Sequence, residues 1–254
     1  MKNKIQDKFS QSAHRYDRFS GMHRGIADQL LACVIKEPIP LALLDVGCGT
    51  GYLTVKLKEQ YPKAKIVGID FAQGMLDVAR AKHEGIAWVL GDGNSLPFTD
   101  GSFDIVTSNL AYQWAGDLSR TFSEARRVLV HDGVLICTLF GYNTCQELFQ
   151  SLDEAKKSRL QFQRLPNGPQ VREALSVGGF KNSETVCEQV KVEFKDMREL
   201  IVWLKMIGAN NLSRGGAYLG PETIAKAAAI YQEKFSCRQG IRATFEVIRV
   251  YAKK

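Results

Sequence analysis

Three features that are typical of other protein classes are missing from this chain of 254 residues. Its six cysteines include no C-x-x-C pair and no metal-ligand spacing, so neither a disulfide framework nor a bound metal is expected. No run approaches the roughly 18 apolar residues of a membrane helix. Residues 1–20 are charged and lack the apolar stretch of a signal peptide. These absences predict a cytoplasmic protein with reduced thiols and no membrane partner.

A basic block is missing as well. Lys and Arg total 34 against 27 for Asp and Glu, which gives a net charge of +7, but the basic residues are scattered along the chain. Scattered basic residues are typical of a solvated surface, so nucleic-acid binding is not expected. A modest positive balance leaves an acidic protein partner open.

Strand-like and helix-like segments alternate between residues 41 and 140. The predicted strands are 41–46, 65–70, 86–90, 103–108 and 134–140, and the predicted helices are 52–60, 73–82 and 118–129. A turn is expected at 131–133, ahead of the fifth strand. This alternation predicts an α/β fold with a parallel sheet and right-handed crossovers.

After residue 140 the alternation breaks. Helices are predicted at 145–159, 166–177, 196–207 and 221–235, and strands at 183–194 and 244–251. We interpret residues 1–40 as a helical preface, 41–196 and 239–254 as the core, and 197–238 as a helical insertion. The preface and the insertion are expected to act as a lid over the working edge of the sheet.

The segment 43–51 reads L-L-D-V-G-C-G-T-G, an apolar strand followed by a glycine-rich turn. Gly47 and Gly49 permit positive φ and leave no Cβ between backbone and ligand. Sites in open α/β sheets lie outside the carboxyl ends of such strands, so a nucleoside ligand is expected here. Dinucleotide enzymes favour G-x-G-x-x-G instead. A nicotinamide dehydrogenase nevertheless remains an alternative.

Polar residues also follow the next three predicted strands. Asp70 can accept hydrogen bonds from both ribose hydroxyls, or cap the next helix. Asp92, in the turn G-D-G, can accept from an adenine amine, or simply stabilise the turn. Asn109 closes the fourth strand beside the same crevice. Four successive strand ends with such residues favour one nucleoside site.

These segments resemble the class I S-adenosylmethionine-dependent methyltransferases. The resemblance covers residues 41–140 and rests on L-L-D-V-G-C-G-T-G, G-I-D-F-A-Q-G-M-L, G-D-G-N-S-L-P-F and F-D-I-V-T-S-N-L. It implies a Rossmann-like seven-stranded sheet whose last strand is antiparallel, with S-adenosyl-L-methionine as cofactor and S-adenosyl-L-homocysteine as product. The implied positions are Gly47, Gly49 and Asn109 at the methionine moiety, Asp70 on the ribose, Phe71 and Met75 on the nucleoside, and Asp92 and Gly93 at adenine. Met75 fits a helix core equally well.

A narrower resemblance uses residues outside that core. Phe9, Ala13, Tyr16 and Asp17, with S-N-L-A-Y-Q-W at 108–114 and L-K-M-I-G-A-N-N-L at 204–212, are similar to the malonyl-acyl carrier protein O-methyltransferases of biotin synthesis. This resemblance implies methyl esterification of the free malonyl carboxylate, carried by an acidic carrier protein or by coenzyme A. In one departure, His23 stands where a glutamine is expected ahead of Arg24.

The residues suit that chemistry. A carboxylate, with a pKa near about 4, is already ionised at neutral pH, so no general base is required. Tyr16 is the first candidate for the hydroxyl that holds the carboxylate, or else a ring packed on the core. The other substrate candidates are Gln113, Trp114, Asn210 and Arg214. Another methyl acceptor, and a binding module without catalysis, remain alternatives.

Overall fold

The computed structural model describes residues 2–157, 165–207 and 219–254. Asn210 and Arg214 lie outside the described residues. Within these three ranges, no helix combines the length and the apolar character that crossing a membrane requires.

The described chain begins with two helices and then alternates strands with helices. The helices are Lys2–Phe19 (α1), Gly21–Val34 (α2), Tyr52–Gln60 (α3), Gln73–Arg80 (α4), Leu118–Val128 (α5), Gln146–Lys156 (α6), Gly168–Val177 (α7), Met197–Met206 (α8) and Pro221–Phe235 (α9). The strands are Ala42–Val46 (β1), Lys65–Asp70 (β2), Ala87–Leu90 (β3), Phe103–Asn109 (β4), Leu129–Phe140 (β5), Asn182–Phe194 (β6), Ser236–Cys237 (β7) and Gly240–Lys253 (β8).

The strands form one sheet in the order β3-β2-β1-β4-β5-β8-β6, and the short β7 pairs with β8. The pairs from β3 to β5 are parallel, and the last strands are antiparallel. The order reverses between β1 and β4, where chain connections leave to opposite sides and open a crevice at the strand ends. The predicted α/β class is confirmed, with β7 as an additional short strand.

The prediction of a turn at 131–133 before the fifth strand is wrong. β5 begins at Leu129 and continues through this segment, while Asp132 takes a positive φ of 63°. The register against β4 shifts between Phe103 and Ile105. Between the paired positions Phe103–Leu129 and Ile105–Val134, β5 advances five positions while β4 advances two, so the ladder is irregular here but the strand does not end.

The chain folds into two compact units. The first comprises Met1–Leu139, Gly168–Cys187 and Ile248–Lys254. Its core lies on both faces of the sheet, because side chains alternate along each strand. On β1, Leu44 belongs to one buried cluster and Leu43 to the other. Leu30 of α2 joins the cluster around Leu43, so the helical preface is part of this unit.

The second unit is Phe140–Asn167 and Glu188–Val247. In it α6 packs against α9, and the Trp203 ring contacts Phe194 and Phe245 at centroid distances of 5.7 and 5.3 Å. The buried Glu147 carboxylate accepts hydrogen bonds from Thr244. The predicted insertion 197–238 falls within this unit, and its role as a lid stays a prediction.

Candidate active site

A cleft of about 730 Å³ lies where β1, β2, β3 and β4 end. All eight residues predicted to bind the cofactor line it, together with Tyr16 and Trp114. These eight are Gly47, Gly49, Asp70, Phe71, Met75, Asp92, Gly93 and Asn109. The strand-end positions that the sequence singles out are therefore neighbours in space.

Positive φ angles and close neighbours explain the glycine-rich turn after β1. Gly47, Gly49 and Gly51 have φ values of 72°, 55° and 86°, a region that non-glycine residues seldom adopt. A Cβ on Gly47 would overlap the Cβ of Ala111, whereas one on Gly49 would meet nothing within 4 Å. Gly47 is thus required by packing as well as by backbone conformation.

Asp70 connects this turn to the start of α4. Its Oδ2 accepts from the Gly49 backbone N at 2.8 Å, and its Oδ1 accepts from the Ala72 backbone N at 2.8 Å. The N-cap of α4 is Ala72, so Asp70 does not cap that helix. Burial raises the pKa of Asp70 to about 6. An ionised carboxylate has about four acceptor positions, which leaves capacity for ligand hydroxyls.

Asn94 holds the wall of the cleft next to Asp92 and Gly93. Its side-chain Nδ2 donates to the Ala115 carbonyl at 2.6 Å, and its Oδ1 accepts from the Thr121 hydroxyl. Its backbone N donates to the Asp92 carboxylate at 2.9 Å, so Asp92 stabilises the turn. Asn94 is not among the predicted site residues, although its place after G-D-G is typical of a turn asparagine.

Asn109 lies at the opposite end of the cleft. Its Nδ2 donates to the His23 carbonyl at 3.1 Å, and its Oδ1 accepts from the Thr138 hydroxyl at 2.9 Å. The next residue, Leu110, has a positive φ of 52°. Asn109 therefore joins α2 to β5 while it lines the cleft.

Helix α1 contributes aromatic side chains to the cleft. The Phe9 ring lies edge-on to both Phe71 and Trp114, with centroids 6.0 Å apart in each pair. Trp114 is only half-buried and lines the cleft. Met75 is buried beside Ala13, so it belongs to the helix packing and to the cleft wall at once.

Tyr16, also on α1, is suited to donate a hydrogen bond. Burial, with further contributions from the Asp70 and Asp17 charges, raises the pKa of its hydroxyl, which therefore keeps its proton at neutral pH. The Tyr16 and His23 rings meet edge-on with centroids 5.9 Å apart. Burial lowers the pKa of His23 to about 4, so this histidine is neutral at pH 7.

Gln113, a predicted substrate contact, does not line the cleft. It lies in the short 3-10 turn Tyr112–Trp114, where its Nε2 donates back to the Leu110 carbonyl at 2.8 Å. The turn directs its two neighbours to the cleft and buries the glutamine side chain.

A charged network joins the end of α1 to the glycine-rich turn. The Asp17 carboxylate accepts from the Thr50 hydroxyl and from Lys82 Nζ, each at 2.6 Å. Lys82 Nζ also donates to the Thr50 carbonyl at 2.8 Å. Burial alone would raise the pKa of Asp17, but hydrogen bonds from Lys82 and Thr50 keep it below its usual value. This network fixes Tyr16 next to the cleft.

Comparisons with known proteins agree with this architecture. The sequence model of a family described as a methyltransferase domain matches residues 44–137. A malonyl-acyl carrier protein O-methyltransferase of Hahella chejuensis is 35% identical over 99% of this chain and 91% of that protein. This chain belongs to the malonyl-acyl carrier protein O-methyltransferase family. It is an S-adenosylmethionine-dependent methyltransferase.

Two further relatives extend the comparison. The biotin biosynthesis bifunctional protein BioHC of Cellvibrio japonicus is 30% identical to this methyltransferase over 97% of the chain and 49% of the relative. The solved structure of the YcgJ protein of Bacillus subtilis has the same fold, with a TM-score of 0.64 at 16% identity. That match covers 90% of this chain and 97% of the other.

Among the described residues, no group of three or more His, Cys, Asp or Glu side chains is arranged to hold a metal ion. The cleft does fit S-adenosylmethionine. The buried carboxylate of Asp70 is available to hydroxyl donors, and Gly49 leaves open space in which a Cβ would otherwise stand.

Proposed function

We propose that this methyltransferase esterifies the free carboxylate of malonyl-acyl carrier protein, which initiates pimeloyl chain formation in biotin synthesis. The observation that carries the proposal is similarity over 99% of the chain to a relative of that name. The methyl ester removes a negative charge, so the acyl chain ends in an apolar group that hydrophobic elongation sites can accept.

Different residues of the cleft would bind different parts of the cofactor. Asp70 would accept from the ribose hydroxyls, Phe71 and Met75 would pack on the nucleoside, and Asp92 with Gly93 would contact adenine. Gly47, Gly49 and Asn109 would lie at the methionine moiety. When bound, S-adenosylmethionine supplies a methyl group on a positively charged sulfur.

The cleft supports a reaction that needs no proton transfer. His23 is neutral and has a pKa of about 4, which makes it a weak base. A carboxylate acceptor is ionised already, so the protein must chiefly hold its oxygen in line with the methyl group, about 3–3.5 Å away. Tyr16 would hold the carboxylate by donating its hydroxyl proton in a hydrogen bond.

Water must be excluded while two opposite charges disappear. The rings of Phe9 and Trp114 meet at the cleft and would shield it. We include the insertion 197–238 in this role, with Asn210 and Arg214 as further contacts to substrate. Trp114 would contact the acyl arm.

An acidic carrier protein suits the charge of this chain. The net charge of +7 would steer such a partner electrostatically and raise its association rate. Cytoplasmic location belongs to the same proposal, because the carrier and the cofactor must both be present.

Intact-mass spectrometry of malonyl-acyl carrier protein tests the proposed reaction. After incubation with the enzyme and S-adenosylmethionine, the carrier should gain the mass of one methylene group, and an esterase should reverse the gain. Acetyl-acyl carrier protein, which lacks the free carboxylate, should stay unchanged. If malonyl carrier also stays unchanged while calorimetry shows cofactor binding, the acceptor is a different molecule, such as a small acid or a quinone precursor.

Tyr16→Phe should lower turnover about 10-fold because a hydrogen bond to the acceptor carboxylate is lost. Cofactor affinity should stay at the wild-type level, which calorimetry can check. Tyr61→Phe is the matched control: that hydroxyl donates to the Val34 carbonyl at 3.3 Å and does not line the cleft. Equal turnover in the wild type and Tyr16→Phe would assign Tyr16 a purely structural role.

A further inference from the structure

Helix α1 has two faces of different character. Phe9 and Tyr16 line the cofactor cleft, and the buried Ala13 lies between them on the same face, since residues three and four apart are neighbours on a helix. The opposite side of α1, which we call its outer face, consists of Asp7, Lys8, Gln11, His14, Arg15 and Arg18. All of these are exposed except Lys8, which is half-buried. α1 is therefore a wall of the cleft on one side and molecular surface on the other.

The outer face of α1 is basic. Lys8, Arg15 and Arg18 place three positive side chains on it, against the single carboxylate of Asp7. The first turn of the helix contains no acidic residue, and Arg18 lies in its last turn. The outer face therefore has a surplus of positive charge.

Basic side chains on the neighbouring elements are paired with acids. Lys82 Nζ and Arg24 Nη2 lie 2.6 and 3.4 Å from the Asp17 carboxylate, on the inner side of α1. On α4, which packs against α1, Arg80 Nη1 lies 3.2 Å from the Asp77 carboxylate. These pairs partly cancel one another's charge, so the surplus positive charge beside the cleft belongs to the outer face.

We propose that the outer face of α1 is the docking surface for the acidic carrier protein. The proposal rests on the proposed function, in which the carrier delivers the malonyl group on a phosphopantetheine arm. Opposite charges on the two surfaces would speed association and set the orientation of the carrier. A helix with its side chains is about 10–12 Å across, which is less than the length of the arm. A carrier on the outer face therefore reaches Tyr16 on the inner one.

Direct binding of the carrier tests this surface. The double variant Arg15→Glu with Arg18→Glu places like charges opposite the carrier, so the affinity should fall about 10-fold. Fluorescence anisotropy of labelled apo-carrier, which lacks the phosphopantetheine arm, measures contact between the two protein surfaces alone. Added salt should reduce the difference between wild type and variant, because exposed charges are screened. Calorimetry should show unchanged affinity for S-adenosylmethionine, and thermal unfolding verifies that the variant folds.

Lys63→Glu with Lys65→Glu is the matched control. Both lysines are exposed at the start of β2, whereas Asp70 at the other end of that strand lines the cleft. The control has the same net charge as the α1 variant, so an effect of net charge alone would appear equally in both. The control should bind apo-carrier more tightly than the α1 variant and nearly as tightly as the wild type.

Other results would overturn the proposal. Equal weakening in the two double variants would mean that net charge, and not the outer face, attracts the carrier. Unchanged affinity in the α1 variant, or a wild type that does not bind apo-carrier, would also reject it. If the α1 variant keeps carrier affinity but loses binding to phosphatidylglycerol vesicles, the outer face contacts an anionic membrane instead.

The docking surface and the proposed function can fail independently, because binding of apo-carrier requires no methyl transfer. Carrier binding that depends on Arg15 and Arg18, with malonyl carrier left unmethylated, would reject the proposed function alone. Methylation of malonyl carrier at the wild-type rate and KM in the α1 variant would reject the docking surface alone.

Discussion

Gly47→Ala should weaken S-adenosylmethionine binding by roughly two to three orders of magnitude and lower the free energy of unfolding. A φ of 72° costs alanine about 1–2 kcal/mol. The new Cβ would also overlap the Cβ of Ala111, and overpacking of this kind costs about 1–3 kcal/mol more. The turn can relieve the overlap only by moving from the position that faces the cofactor. Calorimetry with the cofactor and thermal unfolding measure the two effects.

A second-site change separates steric overlap from backbone strain. The double variant Gly47→Ala with Ala111→Gly removes the overlapping methyl group, so it should recover part of the lost affinity. Gly49→Ala is the matched control for strain, because its Cβ would meet no protein atom within 4 Å. It should lower the free energy of unfolding by only about 1–2 kcal/mol. The explanation by overlap with Ala111 fails if Gly47→Ala and Gly49→Ala lower the free energy of unfolding equally and if adding Ala111→Gly restores no cofactor affinity.

Asp70→Asn should weaken S-adenosylmethionine about 10- to 150-fold, because the amide removes a charge-assisted hydrogen bond to the ribose. Asparagine keeps the shape but only one acceptor oxygen, so its NH2 group faces the backbone N–H of either Gly49 or Ala72, and that hydrogen bond is lost as well. Asp70→Ala would leave both buried donors without their acceptor, so its effect would include a loss of folding stability. Unchanged affinity in the asparagine variant would remove Asp70 from the cofactor site.

The raised pKa of Asp70 adds a pH dependence to the same prediction. Its folded-state pKa of about 6 lies above the ordinary 3.8, so ionisation costs stability, and that cost sets in as pH rises from about 4 to 6. Hydroxyl donors favour the ionised form, so cofactor affinity should fall about 10-fold between pH 7 and pH 5. Asp70→Asn should flatten this profile, with any remaining slope from Asp45, whose pKa burial also raises to about 6. A full slope in the variant would show that Asp70 does not control binding.

Local sequence patterns were enough to predict which residues meet at the ends of the strands. Parallel strands deliver their carboxyl ends to one edge of a sheet, so Gly47, Asp70, Asp92 and Asn109 had to become neighbours once the alternation of strands and helices was recognised. Helices α3 and α9 begin and end at the predicted residues. The resemblance to the malonyl-acyl carrier protein O-methyltransferases also predicted Tyr16 as a site residue, and Tyr16 lines the cleft.

The tertiary structure decided what local patterns do not encode. Gln113 and Trp114 are adjacent in sequence, yet only Trp114 lines the cleft, because packing sets the direction of each side chain in a short turn. Asn94 bonds to Ala115 and Thr121, which lie 21 and 27 positions further along the chain. The contact between Asp17 and Lys82 joins residues 65 positions apart.

The sequence by itself therefore determined the fold class, the edge of the sheet that carries the site and the kind of ligand. The fold class follows from the periodic pattern of apolar residues along the chain. The site follows from glycines, which tolerate a positive φ, and from carboxylates, which accept hydrogen bonds from hydroxyl groups. Only the tertiary structure decided that the Phe9 ring lies edge-on to Phe71 and that Asp17 joins the Thr50 hydroxyl to Lys82. Such contacts depend on how α1 and α2 dock, and docking is set by side-chain packing between distant segments.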